Sequence, residues 1–147
     1  PYNIKCKSSV LEVIDNAEIV VNAVPSQFTR EVAKKYTNLT LEELQELLSS
    51  KIHEERLISL FILIDKYQKT DNKKEIFNFY LKNTKKINNW DLVDLSAHKI
   101  LGDYLIDKDK SILYKLAKSK NLWERRVSII STFQFIKNNQ FDDVCGF

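Results

Sequence analysis

Glycine scarcity limits this chain more than any other feature. Its 147 residues include only two glycines, Gly102 and Gly146, and two prolines, Pro1 and Pro25. An all-β sandwich or barrel needs many turns at positive φ, which two glycines cannot supply. The same shortage excludes a Walker A loop and a GxGxxG dinucleotide fingerprint, because both need backbone that approaches phosphate closely. An all-α fold remains. The length suits one domain, and the hydrophobic (44%) and charged (29%) fractions allow one ordinary core. No apolar run approaches the ~20 residues of a bilayer span, so no membrane partner is expected.

Helix punctuation is clear from Thr40 onward. Thr40 with Glu43 forms a capping box, predicting a helix to about Ser49. A longer helix follows from His53 to Lys69, with Leu57, Leu60, Phe61 and Ile64 at helical spacing. Asn72 with Glu75 opens the next, and Asn89 opens one from Trp90 to Leu105. Asp109 or Ser111 starts a short helix ending near Lys118, and Asn121 with Glu124 starts one to about Lys137. These are six helices in three short–long pairs.

The long helices superimpose as sequences. HEERLISLFILI, WDLVDLSAHKIL and WERRVSIISTFQ begin at His53, Trp90 and Trp123, offsets of 37 and 33 residues. Such a period belongs to helical-hairpin repeats, which bury their apolar faces by stacking into an α-solenoid. In this register Asp94 stands where the other repeats have Leu57 and Val127. A carboxylate in an apolar column must be paired across to a neighbouring repeat or used in chemistry. Trp90 and His98 lie four residues to either side of it, on the same helix face.

Charge is uneven although the net is only +3. Five acids crowd residues 40–56, whereas residues 66–86 and 108–126 are rich in lysine and arginine. Basic stripes at similar places in successive hairpins would form one positive track for a phosphate backbone. HEER at 53–56 is not HExxH, and two histidines with distant Cys6 and Cys145 build no metal site, so no metal or cofactor is expected. The cysteine usage and the absence of a secretory signal point to a reducing, cytoplasmic setting. A chain that starts at Pro1 and lacks methionine is expected to be part of a longer reading frame.

Three segments carry a resemblance: TLEELQELLSSKIHEERLISLFILIDKYQK, INNWDLVDLSAHKILGDYL and LWERRVSIISTFQFIK. Together they are similar to the AlkD-type DNA alkylation repair glycosylases, solenoids of HEAT-like antiparallel hairpins. The likeness runs from about Pro25 to Asp143. It implies excision of alkylated purines, such as 3-methyladenine and 7-methylguanine, by N-glycosidic hydrolysis in double-stranded DNA. It also implies a monomer without cofactor. The family's cleft Trp and Asp fall on Trp90 and Asp94, with Asp94 in the catalytic role. Its active-site Arg falls on Arg126, with Arg125 as the alternative. Trp123 is expected to pack in the core.

Two departures accompany the resemblance. The family's KAVGWxLRE segment, which brings a second cleft Trp, has no counterpart in this sequence, so weak binding and little excision are expected of the chain alone. Residues 1–36, notably AEIVVNAVPSQFTREVAKKY, also resemble a piece of NAD-dependent glycerol-3-phosphate dehydrogenase without its phosphate-binding glycines. Pro25 to Tyr36 fits the repair family's VPxxRxxAKKY helix as well. The expected organisation is an N-terminal segment (1–24) foreign to the fold, an incomplete repeat domain (25–143) and a tail (144–147). A non-catalytic HEAT-like module for DNA or protein is the competing functional reading.

Overall fold

The computed structural model describes residues 26–141, and among these every regular element is helical. The all-α, solenoid-like architecture expected from the glycine count is what forms. Helix α1 (Ser26–Lys35) precedes three short–long hairpins. The first pairs α2 (Leu41–Leu48) with α3 (His53–Lys69). The second pairs α4 (Lys73–Lys82) with α5 (Trp90–Ala97), which runs on through a π-helical turn (His98–Gly102) into α6 (Asp103–Leu105). The third pairs α7 (Ser111–Ala117) with α8 (Leu122–Ser131) and α9 (Phe133–Lys137). The expectations for residues 1–24, Cys6, Cys145 and the tail lie outside the described residues.

Local sequence accounts for most boundaries. The capping box forms in full: Thr40 Oγ1 accepts from the Glu43 amide, and Glu43 Oε2 accepts from the Thr40 amide. Asn89 and Asn121 accept from the amides of Trp90 and Trp123. Asn72 departs from expectation, since its side chain donates to Glu75 Oε2 and caps no backbone group. One core cluster threads all three hairpins, from Leu44 and Leu60 through Leu92 and Ile100 to Val127 and Phe135. Trp123 packs against it half-buried, as expected.

The stacking register corrects the sequence alignment by one residue. Three hydrogen bonds of the first hairpin recur in the third. Ser59 Oγ donates to the Leu44 carbonyl (3.0 Å) and Ser128 Oγ to that of Leu113 (2.8 Å). Arg56 Nη1 donates to the Ser50 carbonyl (2.7 Å) and Arg125 Nη1 to that of Ser119 (2.8 Å). Ser50 and Ser119 hydroxyls both accept from the amide two residues on. All three pairs are 69 residues apart, not 70. Trp90 therefore corresponds to His53 and Leu122, and the column of Leu57 and Asp94 continues in Arg126 in place of Val127.

A close approach of backbones holds the second and third hairpins together. A Cβ on Gly102 would run into the Ser131 carbonyl oxygen and lie 2.9 Å from Gln134 Cβ. Only glycine lets the π-helical turn touch α8 and α9 there. The turn itself widens the helix immediately after Ala97, within the stretch that carries Asp94 and His98.

Candidate functional site

Ser59, Ser96 and Ser128 are fully buried, with Ser59 and Ser128 bonded to the short helices of their own hairpins and Ser96 to Tyr80 of α4. A residue two positions earlier sits about 200° round the helix, on the side turned away from the short helices. That side carries Leu57, Asp94 and Arg126. The register of the fold thus puts a carboxylate and a guanidinium at equivalent points of adjacent repeats.

They meet as a bidentate pair. Arg126 Nε donates to Asp94 Oδ1 (2.8 Å) and Nη2 to Oδ2 (2.6 Å). The side chains are 40% and 35% exposed, so the pair stands at the rim of the core and solvent reaches it. Hydrogen bonding to Asp94 raises the Arg126 guanidinium above its ordinary value, securing a charge that arginine already keeps. Nη1 of Arg126 has no partner among the described residues. Trp90, one turn before Asp94, is 62% exposed. An indole left so open at a helix start packs nothing of its own chain, and it stands ready for a flat or cationic group.

Other polar groups near this end are already committed. His53 Nε2 bonds Asp91 Oδ2 at 2.6 Å, and Asp91 Oδ1 accepts the Leu92 amide at 2.8 Å. Arg125 donates to the carbonyls of Ser119 and Lys120, holding the turn before α8. It does not join Asp94, so the structure brings together Trp90, Asp94 and Arg126 and leaves Arg125 apart. The lysine stripes also divide. Lys82, Lys85, Lys86, Lys118 and Lys120 sit in or near the turns before α5 and α8, beside Trp90 and Arg126. Lys66, Lys69, Lys73, Lys74, Lys108 and Lys110 lie at the far end of the hairpins, where Lys69 pairs with Asp65 and Lys73 with Asp103. The single continuous track is replaced by two basic ends.

Among the described residues no group of three His, Cys, Asp or Glu is arranged to hold a metal ion. No helix there is long and apolar enough to cross a membrane.

Comparison with known families decides what the Trp90–Asp94–Arg126 constellation belongs to. The family model described as "DNA alkylation repair enzyme" matches residues 16–147. The chain belongs to this family. Membership makes DNA repair its role, and the match runs through residues 16–36, where no comparison supports the dehydrogenase resemblance. No curated protein and no solved structure gave a significant match.

Proposed function

We propose that this DNA alkylation repair protein is an N-glycosylase that releases alkylated purines, with Asp94 as the catalytic carboxylate and Trp90 and Arg126 as substrate-binding groups. The observation that supports it best is the bidentate Asp94–Arg126 pair standing open beside an exposed indole. Alkylation at N3 or N7 gives a purine a formal positive charge, so it leaves readily when the C1′–N bond breaks. What the site must supply is negative charge near the oxocarbenium-like sugar and a positioned water for C1′. Asp94 has the chemistry for both, and no second carboxyl acid is required. Trp90 offers its face to the cationic nucleotide, an interaction of roughly 0.5–2 kcal/mol depending on desolvation. Arg126 spends Nε and one Nη2 hydrogen on Asp94 and keeps Nη1 for a phosphate of the damaged strand.

A second reading draws on the same pair. Arg126 already satisfies Asp94 in full, as a structural ion pair would, which favours a non-catalytic DNA-binding module. Base release separates the two. With protein in excess over methylated duplex, chromatography should detect freed 7-methylguanine, and Asp94→Asn should cut the rate at least ~100-fold. Duplex affinity should stay nearly unchanged, because the variant keeps the shape and loses only the charge. Equal rates from the two proteins would leave the binding module as the function.

A further inference from the structure

A second positive site lies on the same side of the long helices, between α1, α3 and the π-helical turn. A cavity of about 250 Å³ opens there, walled by Arg30 and Lys34 of α1, Phe61 and Asp65 of α3, and Lys99 of the turn. Arg30 sits over the Phe61 ring, 5.3 Å from its centroid. None of Arg30, Lys34 and Lys99 has an ion-pair partner among the described residues, and the one carboxylate in the wall, Asp65, is held by Lys69 at 2.7 Å. Lys99 is half-buried. Burial and the charge of Arg30 both push its ammonium below its ordinary value. Three convergent cations without an anion, one of them partly desolvated, repel one another until an anion arrives.

We propose that this cavity is a phosphate subsite for the DNA backbone, taking a phosphodiester about two base steps from the one at Arg126. The proposal rests on the DNA-binding part of the reading above. Lys99 follows Asp94 by five residues, ~7.5 Å along the helix at 1.5 Å per residue. Duplex phosphates of one strand advance ~3.4 Å per step along the axis, so one strand crossing Trp90 and Asp94 would pass the cavity two phosphates later. The Phe61 ring supplies an apolar floor that keeps Arg30 aimed across the opening. Among the described residues these cations come from segments 65 residues apart in the chain, and no stripe in the sequence joins them.

The test is the salt dependence of binding to an undamaged duplex, read by fluorescence anisotropy on the full chain. Lys99→Met and Arg30→Met keep the aliphatic stems and lose the charges. Each should reduce the slope of log K against log salt by about one, and the pair by about two. Lys115→Met, on the outer short helix α7, should leave the slope unchanged, and Lys99→Arg should restore it. If wild type binds the duplex and the double variant keeps the wild-type slope, the subsite is overturned while the DNA reading stands. If wild type shows no salt-dependent binding, the DNA reading fails and takes the subsite with it. Thermal melts of each variant guard against loss of fold.

Discussion

Helix α5 carries two carboxylates less than one turn apart, and the fold uses them in opposite ways. Asp91 turns back to the preceding repeat, where His53 takes one oxygen and the Leu92 amide takes the other. It closes a seam and has nothing left to offer. Asp94 turns forward to Arg126, whose outer nitrogen is unspent, and the exposed Trp90 stands one turn away. At the equivalent point of α3 the chain places Leu57, which is simply buried. Apolar packing would therefore have closed the second seam too. A charged pair at that point adds little stability and gives the surface a reactive face.

The sharpest way to break this contrast is kinetic. Asp94→Asn should lower base release at least ~100-fold, whereas Asp91→Asn should change it only a few-fold, through slight loosening of the α3–α5 seam. Comparable losses in the two variants would mean that both carboxylates act by holding the repeats together.

Stability should be most sensitive where the second seam depends on backbone contact. Gly102→Ala gains up to ~1 kcal/mol of helix propensity. Against this, the new methyl meets the Ser131 carbonyl, which cannot step aside as a side chain would. A net loss of ~1–3 kcal/mol is expected from overpacking, visible as a drop of several degrees in Tm. An unchanged melt would show that α8 shifts freely against α5, and then the alignment of Arg126 with Asp94 would not be rigid.

A smaller change is expected from removing the pair itself. Each side chain is more than a third exposed, and ion pairs in that setting are worth ~0–1 kcal/mol. Asp94→Leu with Arg126→Leu, matching Leu57, should thus melt within a degree or two of wild type while releasing no base. A large destabilisation would make the pair a structural clasp after all.

These contrasts also mark what can be read without coordinates. Helix identity, the capping box at Thr40 and the Asn caps at 89 and 121 are legible, because capping and periodicity are local. The convergence of Trp90, Asp94 and Arg126 follows from equivalent positions in successive hairpins. The register does not: Leu57 can be matched to Val127 as well as to Arg126 when only hydrophobicity is compared, and the loop between α7 and α8 absorbs the missing residue. Nor do the lysine stripes reveal that they belong to opposite ends of antiparallel helices. The π-helical turn has no sequence signal beyond Gly102, and the Arg30–Lys34–Lys99 cavity is assembled only when α1 packs on α3.

The smallest predicted effect tests whether Arg126 really neutralises Asp94. Burial, aided by the charges of Lys99 and Lys137, holds His98 below its ordinary value, while the Asp94 charge pulls the other way. In the unfolded chain His98 titrates near ~6.5. Below that pH the unfolded state binds a proton that the native state refuses, so stability falls as pH drops. His98→Gln removes the penalty. The Tm of this variant relative to wild type should therefore rise between pH 7.5 and pH 5.5, and an unchanged difference would show that His98 titrates normally. Repeating the comparison on an Arg126→Leu background probes the pair directly. With the guanidinium gone, the full Asp94 charge acts on His98, one turn away, and favours its protonated form. The acid penalty should then shrink, and His98→Gln should raise the acid Tm by less than it does when Arg126 is present. If the rise stays the same, Asp94 and His98 do not sense one another, and the shared helix face is not a single electrostatic unit.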